Sequence, residues 1–169
     1  RLAAIEILGT IGPDSAPAIP VLVKSLSHKD FHTQYFALRT LAKIGPESKV
    51  AVPEILKVLK SGAASTRRNA AAALGELGEG IGEDAISALT EALSDKLFPV
   101  REQVALALGK LGERSRPALP KLKELANNPA KSTRVAASYA AWQVSGDIDF
   151  TLPILIEETV FRSRGRNPA

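Results

Sequence analysis

Gly12, Gly45, Gly78 and Gly112 follow one another at intervals of 33, 33 and 34 residues, and each closes the same short phrase. The phrases are Leu8-Gly9-Thr10-Ile11-Gly12, Leu41-Ala42-Lys43-Ile44-Gly45, Leu74-Gly75-Glu76-Leu77-Gly78 and Leu108-Gly109-Lys110-Leu111-Gly112. A worn fifth copy, Ala141-Trp142-Gln143-Val144-Ser145, has lost the glycines. A second column stands eleven residues before the closing position: Arg1, Gln34, Arg67, Arg101 and Arg134. A fixed period of this length marks a solenoid, in which each unit buries its apolar face only against its neighbours. Such a chain is mostly surface, so the functional question becomes what binds it.

Each period holds two helical patterns. The first opens on proline, as in Pro17-Ala18-Ile19-Pro20, Val50-Ala51-Val52-Pro53, Arg116-Pro117-Ala118-Leu119-Pro120 and Thr151-Leu152-Pro153. Proline suits a first helical turn, where its missing amide proton would be unpaired anyway. Apolar residues then recur at helical spacing: Ile19, Leu22, Leu26; Val52, Ile55, Leu59; Ile86, Leu89, Leu93; Leu119, Leu122, Ala126; Leu152, Leu155. After a polar turn the second pattern begins, and its inward positions count from the arginine column. Three residues on stand Ala4, Ala37, Ala70, Val104 and Ala137; seven on, Leu8, Leu41, Leu74, Leu108 and Ala141; ten on, Ile11, Ile44, Leu77, Leu111 and Val144. The four glycines close these helices in a left-handed conformation. The spacing predicts ten helices: one at 1–11, four hairpins from about 16 to 145, and a lone helix at about 150–161. The Gly78–Asp84 stretch carries the one-residue insertion and reads as a flexible turn. It is no phosphate loop, since no strand precedes it and no Lys-Ser or Lys-Thr follows.

Composition narrows the function classes. Hydrophobic residues make up 45% of the chain but aromatics only 5%, which suits closely packed helices. Of the net charge of +4, Arg162, Arg164 and Arg166 in a basic tail at 162–169 supply three units. The body is close to neutral and lacks the broad basic stripe of a nucleic-acid binder. Cysteine is absent, so no disulfide or thiolate metal site can form. No stretch approaches the ~20 uninterrupted apolar residues of a membrane-spanning helix. The chain opens on Arg1 partway into a repeat, as expected of a piece of a longer protein.

No catalytic constellation stands out. His28 and His32, the only histidines, straddle a turn with Asp30 as the one nearby acid, too few ligands for a metal. Glu79, Glu83 and Asp84, and likewise Glu157-Glu158, read as solvated charge.

The succession of a leucine-rich helix, Ser-Asp in a turn, Val-Arg, Ala-x-x-Ala-Leu-Gly-x-Leu-Gly and Pro-Ala-x-Pro resembles the HEAT repeat. It is most similar to the bacterial HEAT-like, or lyase-type, variety. The clearest copy runs from Leu93-Ser94-Asp95 through Val100-Arg101 to Ala107-Leu108-Gly109-Lys110-Leu111-Gly112. The resemblance implies an all-α, right-handed superhelix of tandem hairpins over residues 1–161. Its units are a partial repeat at 1–12, repeats at about 13–45, 46–78, 79–112 and 113–146, and a partial repeat at 147–161. It also implies that Arg67, Arg101 and Arg134 are structural and bridge the turns of neighbouring repeats, and that the second helices line a concave face.

On that face the outward positions lie one and five residues after the arginine column. They place Tyr35, Arg39, Arg68, Glu102, Leu106 and Tyr139 in a mixed aromatic, aliphatic and charged row, the composition of an interface rather than of an active site. Trp142 is expected to pack on Phe150 and Leu152. The function that follows is a non-catalytic scaffold for a protein partner, with no cofactor and no metal. The rivals are a nucleic-acid binder using Arg39, Arg68 and the tail, and an enzyme of the bilin-lyase type. Solenoid ends expose apolar faces, so Leu2, Ile5 and Leu8 at one end and Phe161 at the other are expected to pair with neighbouring chains.

Overall fold

The computed structural model describes residues 2–164, with side chains to residue 159; Arg1, the Phe161 side chain expected to pair with a neighbouring chain, and the side chains of the basic tail lie outside what it describes. Among the described residues are ten α-helices and no strand: α1 (Leu2–Ile11), α2 (Ile19–Ser25), α3 (Phe31–Ile44), α4 (Val52–Ser61), α5 (Ala64–Leu77), α6 (Glu83–Ala92), α7 (Phe98–Lys110), α8 (Leu119–Leu125), α9 (Lys131–Ser145) and α10 (Ile148–Arg164). Pro20, Pro53 and Pro120 stand second in α2, α4 and α8, where no intrahelical bond is lost. Short 3₁₀ turns precede α2, α4, α6 and α8. Pro153 differs: α10 starts at Ile148, earlier than its sequence suggests, and carries this proline inside. Asp147 sets that start, its carboxylate accepting the Phe150 amide at 3.1 Å.

Glycine closes each odd helix with positive φ: +75° at Gly12, +90° at Gly45, +57° at Gly78 and +58° at Gly112. The fifth copy has not lost this residue. Gly146, at φ +73°, closes α9 one position later than the period places it.

Each even helix packs on the odd helix that follows it, giving hairpins α2–α3, α4–α5, α6–α7 and α8–α9. The hairpins stack into a two-layered α-solenoid. The inward stripes are buried from α3 onward: Leu41, Leu74 and Leu108 have no exposed surface, and each such side chain contributes about 1.5–3 kcal/mol of transfer free energy. The stripe fails in α1, where Ile11 is 52% exposed and Ala4 is exposed too. No even helix precedes α1 among the described residues to cover it. Ile5, expected to face a neighbouring chain, is instead buried, and its carbonyl accepts the Thr40 hydroxyl at 2.9 Å. At the other end Leu152, read as inward, is exposed.

The odd helices pack on one another along the row, whereas contact within the even row is sparse. Small residues explain the asymmetry. A Cβ on Gly75 would lie 2.8 Å from the Ala107 Cα, and one on Gly109 would lie 3.1 Å from the Ala140 Cα. A double layer spaced more tightly on one side curves toward that side, so the odd helices line the concave face.

The arginine column forms a structural ladder. Arg67 grips Asp95 of the next repeat through Nε at 2.7 Å and Nη2 at 2.9 Å, and donates Nη1 to the Gly62 carbonyl. Arg101 donates to the Asp95 carbonyl and Arg134 to that of Asn128. Gln34 does the same with its amide, reaching the His28 carbonyl at 2.8 Å. Arg134 also reaches Glu158 of α10 through Nε at 2.7 Å, and Lys131 holds the other carboxylate oxygen at 2.6 Å. Glu158 is therefore not the solvated charge its sequence suggests but a buried inter-helix tie. The Gly78–Asp84 turn is likewise tied down: Ile81 is buried, and the Arg114 guanidinium bonds the Gly78 and Ile81 carbonyls at 3.1 and 2.6 Å. No helix among the described residues is long and apolar enough to cross a membrane.

Candidate concave binding face

Two grooves run between odd helices, and five of the six expected contact residues line them. Tyr35 and Arg39 of α3 line the first with Ala72 and Glu76 of α5, enclosing about 210 Å³. Glu102 and Leu106 of α7 line the second with Val135 and Tyr139 of α9, a wider trough of about 660 Å³. Arg68 is exposed on α5 and lines neither. It shares a face with Ala72 by the i, i+4 rule.

The helices fix these side chains differently. Tyr35 is half-buried, with the Phe36 ring edge-on at 5.1 Å. Arg39 and Arg68 extend into solvent. Glu102 accepts hydrogen bonds from the hydroxyls of Ser132 and Thr133, so it ties α7 to α9 across the trough. Tyr139 is 41% exposed, and the Trp142 ring lies 5.8 Å from it at 40% exposure. Phe150, on which Trp142 was expected to pack, lies under the Lys123 ammonium at 4.6 Å. Trp142 thus joins the concave face, a role its position already carried, one helical turn beyond Tyr139.

The chemistry of acids and bases lies elsewhere. Hydrogen bonds from Arg67 hold Asp95 below the usual carboxylate range. Those from Lys131, then Arg134, do the same for Glu158, and Lys123 does so for Asp147. Asp30 is lowered to about 2 by the Thr33 hydroxyl and by the amides of Thr33 and His32, which it caps at the start of α3. Asp30, Asp95 and Asp147 stabilise turns or helix starts, Glu158 ties α10 to α9, and none of the four lines either groove. Among the described residues no three His, Asp or Glu side chains are placed to hold a metal.

The family model for HEAT repeats matches residues 52–142. No curated protein matches the sequence. Among solved structures, two engineered proteins from the Northeast Structural Genomics Consortium superpose with TM-scores of 0.63 and 0.64, each at 21% identity. They cover 94% and 93% of this chain and 78% and 81% of their own. The complex of CpcE and CpcF of phycocyanin lyase from Nostoc sp. PCC7120 superposes at 0.63 with 23% identity, covering 83% of this chain and 99% of that one.

Proposed function

The chain belongs to the HEAT-repeat family, and from that premise we propose that it is a non-catalytic scaffold whose concave face binds a partner protein. The observation that carries this reading is the second groove. Leu106, Val135, Tyr139 and Trp142 present adjoining apolar surface on rigid helices, and exposed contiguous apolar patches mark interaction sites. Aromatic side chains supply much of the energy of such contacts.

The similarity to a phycocyanin lyase extends to the fold, and fold alone does not carry an activity. An enzyme needs convergent titratable groups in a cleft. Here the perturbed carboxylates hold turns, helix starts and the α9–α10 contact, and none lines either groove.

A pull-down comparing the wild type, Tyr35→Ala/Tyr139→Ala and a convex-side control, Lys57→Ala, tests the reading. A protein retained by the wild type and the control but lost from the double variant is the expected result. Equal retention by all three would remove the concave face from consideration.

A further inference from the structure

We infer that the partner segment is an extended peptide with an acidic block at one end and a large apolar or aromatic side chain at the other. This rests on the concave-face reading and adds the chemistry of the ligand.

The concave face is divided along its length. Its α3–α5 half carries Arg39, Lys43 and Arg68, all exposed. Among the described residues none of the three makes an ion pair. Glu76 on the same half is already neutralised by Lys110. Its α7–α9 half offers Leu106, Val135 and Tyr139 with Trp142 beside the last; its one acid, Glu102, is engaged by Ser132, and its Lys131 is paired with Glu158. A ligand that satisfies both halves carries negative charge where the free cations stand and apolar bulk where the trough opens.

The spacing sets the length. The two halves are two helix intervals apart, about 16–20 Å at ~8–10 Å per packed pair. Extended chain advances ~3.3 Å per residue, so roughly five or six residues separate the acidic block from the apolar anchor. Phosphate backbones also seek free cations, but Glu6 and Glu102 on this row repel a polyanion that follows its whole length.

A random dodecapeptide display library panned on the immobilised chain, with selected peptides remeasured by fluorescence anisotropy, tests the inference. Three concave variants are used: Arg39→Glu/Arg68→Glu, Arg39→Lys/Arg68→Lys and Tyr139→Ala/Trp142→Ala. All replace exposed side chains, and circular dichroism checks their folding. The expected outcome is enrichment of Asp/Glu clusters five or six residues from Trp, Phe or Leu. Affinity should fall at least tenfold with the charge reversal and with the aromatic deletion, and persist with the lysine pair. Peptides that lack acids, lose affinity only with the aromatic deletion and ignore the charge reversal would overturn the inference and leave the scaffold reading standing. Peptides indifferent to every concave variant would overturn both. Tighter binding of a 20-nucleotide single-stranded DNA than of any selected peptide would overturn the inference in favour of nucleic acid.

Discussion

The α5–α7 pair and the α9 end of the row use one sequence column for opposite purposes. Eight residues after the arginine position stands Gly75 in the first and Trp142 in the second. Gly75 lets α7 approach until an added Cβ would strike the Ala107 backbone. Trp142 is 40% exposed and sets its ring 5.8 Å from that of Tyr139. The turn column changes in parallel, with Arg67 held by a turn aspartate and Arg134 by Glu158 on a helix. A repeat column therefore fixes where a side chain points, while its neighbour decides whether it packs against the next helix or stays at the surface.

Exchanging the two residues should separate these roles most strongly. Gly75→Trp forces bulk against backbone and should cost about 3 kcal/mol or more in urea unfolding. Trp142→Gly should cost only about 1 kcal/mol, the helix penalty of glycine, while weakening concave-face binding. If the two variants unfolded at the same urea concentration, close approach would not be what the glycine column provides.

The ladder gives the next effect. Arg67 and Asp95 side chains are only 13% and 11% exposed, so Arg67→Ala strands a carboxylate and should cost about 3 kcal/mol. Arg134→Ala should cost less, because Lys131 remains on Glu158. The sign of the acid dependence follows from the depressed Asp95. Its contribution is present above the unfolded value near 4 and is lost as pH falls through the lower folded value. Stability measured between pH 5 and 2 should therefore fall less steeply in Arg67→Ala than in the wild type. An identical slope would mean that Arg67 does not hold Asp95.

The rung above is incomplete. Asn128 stands one repeat beyond Asp95 and, like it, accepts the amide two residues on, but it offers no carboxylate. The Arg101 Nε is buried with no partner among the described residues. Asn128→Asp should supply one and raise stability by about 1.5 kcal/mol, the low end for a charge-assisted bond. A neutral or destabilising outcome at pH 7 would show that residue 128 does not face Arg101.

The fold was legible because its signals recur. Five copies of a small or aliphatic residue at each of three fixed offsets define the inward stripe, and positive-φ glycines mark each boundary. What sequence missed depends on neighbours that a column cannot record. Ile11 fits the stripe but lacks a covering helix, Glu158 reads as surface charge until α10 turns it toward Arg134, and Gly146 hides one residue out of register. That the six residues proposed for contact share one side of the odd helices was readable from helical phase, and that this side is concave came from the family resemblance. The division of five of them between two grooves was not readable, because grooves lie between helices and depend on which pairs approach closely. The aromatic pair needed Trp142, which the glycine column disguised as a structural position.

The smallest effect concerns the serines three residues after the closing glycines. Ser15 donates to the Leu8 carbonyl at 2.8 Å, whereas Ser48 and Ser115 in the same place are buried with no partner among the described residues. Ile81 fills that place in the remaining copy and is buried without difficulty. A buried hydroxyl without a partner costs its desolvation, so Ser48→Ala should stabilise by about 1 kcal/mol or less, a rise of about 2–4 °C in Tm at most. Ser15→Ala removes a made bond and leaves a carbonyl unpaired, so its shift should be opposite in sign and similar in size. Equal and downward shifts in thermal melts of both variants would mean that Ser48 finds a partner after all and that the column serves one purpose throughout.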